Sequence, residues 1–396
     1  MKLGLFATIS LIAVAFNMPA MAQMSVAERL ERMEKRIQHL EKRVSDQDKV
    51  IKEKDWQLKK MGMQAKEVVK QSEEDESAWF KRIELSGTLE LEASHSDPFA
   101  GQPTSDLVVA TAEMGLAAQV HDWVAGEITL LHEEDDTNLE VDVATVTIAQ
   151  PDSWWFLTGG QFYLPFGTYE TNMVSDPLTL EIGETRETAA QFGVEANGFS
   201  GSVFAFNGTN KEGTDNRIDN FGVAVGYAYE SDAMTLAVTA AYINDIGDSD
   251  GLQDTISGAL GSNNVVDHVG GYAVGGVATF GPFTWTAEYV TATDEFAANE
   301  VAFRSVGAKP EAWQVEAAYK FTVLKKETTF ALSYQGTGEA LAAGQPDERY
   351  MVGLSMALSD YVGTGLEWAH DEDYSVADGG TGNSADTVTA QFALGF

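Results

Sequence analysis

The sequence predicts a membrane β-barrel of about sixteen antiparallel strands, preceded by a secretory signal and an α-helical coiled coil. Three observations lead there. The hydrophobic period changes from 3.5 to 2 near residue 82, the connections between strand-like segments alternate between short and long, and the last strand closes on an aromatic residue.

The opening MKLGLFATISLIAVAFNMPAMAQ has the parts of a secretory signal. Lys2 supplies the positive start, Leu3 to Phe16 the apolar stretch, and Ala20-Met21-Ala22 a small-residue cleavage site. Residues 1–22 are therefore assigned to the signal. The apolar stretch is shorter than the ~20 residues that a spanning helix needs.

Residues 23–76 form a predicted periplasmic coiled coil. Leu30, Ile37, Val44, Ile51 and Leu58 recur at heptad position a, and Val26, Met33, Leu40 and Met61 at d, with Gln47 and Lys54 interrupting. Arg29, Arg36 and Arg43 occupy g, while Glu34, Glu41 and Asp48 occupy the following e positions. In a parallel homo-oligomer these charges face each other across the seam, so a dimer or trimer is expected.

Residues 77–396 are assigned to the barrel. Ile83, Leu85, Gly87, Leu89 and Leu91 alternate with Glu84, Ser86, Thr88, Glu90 and Glu92, and Phe283, Trp285, Ala287 and Tyr289 alternate with Thr284, Thr286 and Glu288. Such a strand presents an apolar face to lipid and a polar one to a wet lumen. Sixteen segments are expected, at 82–94, 107–120, 124–134, 139–149, 155–164, 188–196, 200–207, 218–230, 234–244, 269–280, 283–293, 311–321, 328–336, 349–359, 362–372 and 386–396. The facing of the fourth and fifth is ambiguous. Turns such as Asn197-Gly198-Phe199 and Gly281-Pro282 are short, whereas 165–187 and 245–268 are long, as periplasmic turns and outer loops are. Trp123, Trp154, Phe199, Phe283 and Tyr361 gather at the short-turn ends, where amphipathic rings suit the headgroup level. A soluble β-sandwich shares the alternation but does not require those girdles.

Charge narrows the function. The chain carries 25 Lys and Arg against 61 Asp and Glu, a net of −36, which excludes a nucleic-acid partner because phosphate binding needs a basic face. There is no cysteine, so neither disulfides nor an N-terminal lipid on Cys is available. By alternation Glu84, Glu90, Glu92, Glu113, Glu127, Glu140, Asp142, Glu195, Glu288, Glu316, Lys320 and Glu367 point into the lumen. Eleven of these twelve are acids, which predicts preference for cations over small anions.

The connection Pro165–Glu187 is unusually apolar for an outer loop, with Phe166, Tyr169, Met173, Val174, Leu178, Leu180 and Ile182. Folding into the lumen explains that composition and would present Glu170, Asp176, Glu181, Glu184, Arg186 and Glu187 at a constriction. Packing as a cap over the mouth, or into a neighbouring subunit, is the alternative. Arg186, the sole cation among them, is either a clamp for an oxygen-rich solute or a pairing partner for a wall carboxylate. Asp248-Ser249-Asp250-Gly251 resembles part of a Ca²⁺ loop, but Ile246 stands at the first ligand position. No catalytic or cofactor motif is present in the sequence, and no metal-ligand set can be assembled from its six histidines.

The run Gly160-Gln161-Phe162-Tyr163-Leu164-Pro165-Phe166-Gly167 resembles the phosphate-selective-type porins. Its continuation, Thr168-Tyr169-Glu170-Thr171-Asn172-Met173-Val174-Ser175-Asp176-Pro177-Leu178 through Glu184-Thr185-Arg186-Glu187, resembles more specifically the LbtU-type siderophore porins. That family also joins a signal and a coiled coil to a sixteen-stranded barrel. The resemblance implies uptake of an iron–siderophore complex across the bacterial outer membrane, and lends no binding residues individually. Energised receptors use about 22 strands around a plug, so TonB coupling is not expected of this chain. A structural envelope protein, with a coiled-coil tether and an incidental lumen, remains the other class.

Overall fold

The computed structural model describes residues 83–134, 137–213 and 217–396. The predicted signal (1–22) and coiled coil (23–76) lie outside the described residues. From Ile83 onward the chain builds a closed antiparallel barrel of sixteen strands. They are β1 (Ile83–Asp97), β2 (Thr104–His121), β3 (Val124–His132), β4 (Glu140–Ile148), β5 (Trp155–Tyr163), β6 (Arg186–Ala196), β7 (Phe199–Phe206) and β8 (Asn220–Glu230). The second half comprises β9 (Met234–Ile243), β10 (Gly271–Phe280), β11 (Phe283–Ala292), β12 (Glu311–Val323), β13 (Lys326–Gly338), β14 (Glu348–Ser359), β15 (Val362–Glu372) and β16 (Ser384–Gly395). No described helix is long and apolar enough to cross a membrane; a membrane barrel crosses with its strands. Closure is what permits this, because every strand edge finds a partner in a layer where lipid offers none.

Each strand pairs with its sequence neighbours, and β16 returns to β1 with Thr88 opposite Gly395 and Asp97 opposite Asp386. Beyond that register, Gly87 and Phe396 exchange two backbone hydrogen bonds of 3.0 Å. A Cβ on Gly87 would meet the Phe396 ring at 2.5 Å, so the seam depends on a glycine beneath the terminal aromatic. The turn between β6 and β7 is tight because Asn197 and Gly198 both take positive φ, 53° and 83°, whose twist matches the flanking strands.

The alternation holds: Leu85, Met114, Ile128, Trp285 and Leu366 are 47–60% exposed on the outside, whereas Glu90, Glu288, Glu316 and Glu367 are at most 4% exposed. The ambiguous facing of β4 has a physical cause. Thr129 pairs with Val143 and Leu130 with Val141, so Asp142 is an extra residue in a bulge that breaks the period of two. The main buried apolar cluster is inside the barrel, not between layers. It joins Phe166, Leu178, Leu180 and Ile182 of the 164–185 connection to Val290, Ala292 and Ala312 of the wall and to Leu252 and Ile256 of a helix in the 244–270 loop.

Candidate functional site

The connection between β5 and β6 leaves the wall at Leu164 and is fastened on the opposite side of the lumen. Its apolar residues drive it there. Phe166, Leu178 and Ile182 are fully buried, each stabilised by roughly 1.5–3 kcal/mol relative to exposure. What fixes its path is polar. Glu288 on β11 accepts from Thr168 N (2.6 Å), Tyr169 N (3.0 Å), Thr168 Oγ1 (3.1 Å) and Thr179 Oγ1 (2.9 Å). Glu316 on β12 accepts from Asn172 N (2.8 Å), Asn172 Nδ2 (2.7 Å) and Thr171 Oγ1 (2.5 Å). Glu367 on β15 accepts from Val174 N (2.5 Å), Ser175 N (3.1 Å) and Ser175 Oγ (2.5 Å).

The three sets recur at 168–169, 171–172 and 174–175, a spacing of three residues, and each joins backbone N–H to a hydroxyl side chain. Carboxylates accept from all of them, and hydrogen bonds to a charged group contribute about 1.5–3 kcal/mol each. The segment thus lies as a strap along the inner wall. The wall is shaped to receive it, since a Cβ on Gly353 would meet Met173 Sδ at 2.7 Å and one on Gly365 would meet Val174 Cγ2 at 2.7 Å. The strap then turns back through α1 (Leu178–Gly183), whose first amide donates to Gln335 Oε1 at 2.8 Å. The strap's three fastenings fall near the middle of β11, β12 and β15.

Above the strap sits an outer layer. Helix α2 (Asp250–Leu260) rests on α1, with Asp250 N donating to Glu184 O at 3.0 Å. Asp248 accepts from Asn210 N (2.8 Å) and Asn220 Nδ2 (3.0 Å), tying the 207–219 and 244–270 connections together. Burial first, and then Asp245, push the Asp248 carboxyl above its ordinary range. His268 pairs with Asp245, and that hydrogen bond pushes the imidazolium up to about 9 against partial burial.

The same barrel recurs in known proteins. No family model matches the chain. A UPF0422 protein of Coxiella burnetii (strain RSA 493 / Nine Mile phase I) is 30% identical over 341 residues, which cover 80% of this chain and 72% of that protein. The chain belongs to the UPF0422 family. A UPF0422 protein of Legionella pneumophila (strain Paris) is 29% identical over 351 residues, 79% of this chain and 66% of that protein. Among solved structures, Pseudomonas putida OprB superposes with a TM-score of 0.57 at 9% identity, covering 80% of this chain and 95% of that one. The anion-selective porin of Comamonas acidovorans superposes at 0.56 and 12% identity, covering 79% and 99%. These likenesses show the fold: this UPF0422 chain is a porin-like barrel.

Within this UPF0422 barrel the residues singled out from sequence fall into distinct places. Glu288, Glu316 and Glu367 lie under the strap, where they accept its donors instead of facing open solvent. Glu90 and Glu92 are buried on β1, and Glu92 accepts from Gln391 Nε2 at 2.9 Å. Glu113 and Glu127 are half-buried on β2 and β3, and Glu84 and Glu195 are exposed in the short-turn halves of β1 and β6. Lys320 is exposed near the short-turn end of β12 and pairs with Glu327 at 3.0 Å. In the connection, Asp176, Glu181 and Glu184 are buried and Glu170 is half-buried, with its carbonyl accepting from Gln314 Nε2 at 3.2 Å.

Two expectations are corrected. Arg186 and Glu187 belong to β6, not to the connection, because β6 begins two residues before the segment expected at 188–196. Arg186 Nη1 lies 2.7 Å from Glu140 Oε1 and 2.8 Å from Asp142 Oδ1, and Tyr163 Oη donates to Asp142 Oδ1 at 3.0 Å. It is a wall tie between β4 and β6. The count of inward cations also omitted Arg349, which is buried on β14 and forms a two-pronged pair with Asp371 at 2.7 and 2.9 Å. Alternation from Met351 and Gly353 places Arg349 on the lumen face, so the signal was present at the first residue of that segment.

Proposed function

We propose that the chain is an outer-membrane diffusion channel whose passage is set by the strap, working without energy coupling from the inner membrane. The fastening of residues 168–175 to Glu288, Glu316 and Glu367 carries this reading. A barrel of sixteen strands is wide enough to leave an aqueous channel, and a selective one needs an internal element to narrow it. A tether with an incidental lumen would gain nothing from three charged fastenings at mid-height.

For the solute we infer an iron–siderophore complex, on the likeness of residues 160–187 to the siderophore-porin pattern. The acid-rich lumen counts against an anionic complex, and the strap lessens that objection by engaging three of the acids. Glu84, Glu113, Glu127 and Glu195 stand on other strands of the wall, β1, β2, β3 and β6, and support a residual preference for cations. Homo-oligomeric assembly in the outer-membrane lipid, with the coiled coil in the periplasm, belongs to the same proposal.

Planar-bilayer recording tests the channel. The purified protein should conduct, passing cations over anions, with the preference fading as salt screens the charges. Absence of conductance from folded protein would reject the channel reading. Growth of a deletion strain on defined iron sources tests the solute: a defect confined to a siderophore-bound source supports it, and growth equal to the parent on all of them rejects it.

A further inference from the structure

The strap leaves part of the lumen hollow behind it. Between Leu164, which follows β5, and Thr168, whose amide reaches Glu288 on β11, the chain passes in front of the strands in between. On the long-loop side this space is filled, because Phe166 packs in one apolar cluster with Phe204, Phe206, Ile243 and Ala273. On the short-turn side it stays open as a recess of about 180 Å³, with Pro165 and Gly167 on the strap side and β6–β9 behind. The wall is hollow there because its inward residues are small. Leu157, Phe192, Val203, Val225 and Val238 are exposed on the outside, so alternation turns Gln191, Ser202, Ala224 and Thr239 inward. Gly226 makes room for Ser200, whose Oγ would lie 2.5 Å from a Cβ at that position. Phe156, near the short-turn end of β5, lies against Gly193, where a Cβ would collide with the ring, and it lines the recess.

Among the described residues that line it there is no lysine or arginine, and the one formal charge is the carboxylate of Glu195. Glu288, Glu316 and Glu367 give their oxygens to the strap, whereas Glu195 is exposed. We propose that the recess is a binding site for an organic ammonium ion carried on an apolar body. Glu195 repels an anion. An inorganic cation would exchange its water shell for a lining that is largely hydrocarbon, which is unfavourable. An ammonium group at Glu195 with its apolar body on Phe156, Ala224 and Ala241 keeps both parts matched, and the face of an aromatic ring attracts the same charge. The site rests on the channel reading for its role, a stopping place on the short-turn side of the strap for solutes that carry such a group.

The probe is phenethylammonium, compared with phenylacetate, which has the ring and the opposite charge, and with ethylammonium, which has the charge and no ring. Full-length protein in lipid nanodiscs is titrated by calorimetry, with empty nanodiscs subtracted and folding checked by heat-modifiable migration. Saturable binding of phenethylammonium alone is expected. It should be about tenfold weaker in Glu195→Gln, which removes the charged acceptor, and lost in Ala224→Phe, which fills the recess. No saturable binding to the folded protein, phenylacetate binding as tightly as phenethylammonium, or unchanged affinity in both folded variants would overturn the proposal. Because the readout is binding, protein that binds the probe without conducting rejects the channel alone, and protein that conducts without binding rejects the recess alone.

Discussion

The strap and the outer layer above it are both held by carboxylates, yet the two sets of contacts are built differently. In the strap, wall acids accept from amides and hydroxyls, donors that carry no charge and do not titrate. In the outer layer, loop acids meet one another and a histidine, and Asp245, Glu212 and Asp248 all raise the His268 imidazolium. The strap acids come from strands, so the pleat sets their positions before the strap arrives. The outer acids come from loops that hold each other. A rigid wall holds the strap in one place, whereas the loop-on-loop contacts include groups that titrate, His268 and Asp248.

The largest effect expected from breaking that contrast is removal of the strap. Deleting residues 170–182 should raise single-channel conductance severalfold while leaving a heat-modifiable barrel. Unchanged conductance would show that the strap does not constrict the channel. Replacing the three wall acids together, Glu288→Gln, Glu316→Gln and Glu367→Gln, keeps the shape but weakens each fastening by about 1–3 kcal/mol. The strap should then protect its amides poorly in hydrogen exchange, and current noise should rise with a smaller gain in mean conductance.

A milder disturbance is Gly365→Val, which places a Cβ on the Val174 side chain and costs about 1–3 kcal/mol of overpacking. Conductance should change less than in the triple variant, with local exchange confined to residues 173–176. A smaller effect still concerns the mouth. The folded state holds the His268 proton more tightly than the unfolded chain, so its contribution is complete below about pH 6.5 and is lost as pH rises through about 9. The raised Asp248 carboxyl acts in the same direction, favouring the fold at lower pH. Amides of 245–268 should therefore exchange faster, relative to intrinsic rates, between pH 6.5 and 9, and His268→Gln should flatten that rise. The smallest effect on conduction belongs to Arg186→Ala. As a tie between β4 and β6 it should lower thermal stability by about 1–3 kcal/mol without altering conductance. A loss of solute uptake at unchanged stability would return it to the role of a clamp.

Much of this was legible from residues. Strand number, order and nearly all boundaries follow from a period of two broken by turn residues, because lipid on one face and water on the other impose that period on every strand. The inward turn of the 164–185 connection was legible in its apolar content, since Phe166, Leu178 and Ile182 have no reason to stand in water. Alternation also named Glu288, Glu316 and Glu367 as inward. It could not show that they hold the strap, because the partners lie 109 to 193 residues away in the chain.

Sequence by itself thus determined the barrel, its sixteen strands and, outside β4 and β5, which face most side chains take, because those depend on local period and local solvent. Tertiary structure decided how the inward charges are used. Three acids fasten the strap, Arg186 ties β4 to β6, and Arg349 pairs with Asp371, each through a contact between separate strands or loops. A carboxylate on a lumen face reads the same in sequence whether it meets an ion, an amide or an arginine. Only the closed barrel, by bringing distant segments within 3 Å of one another, makes that choice.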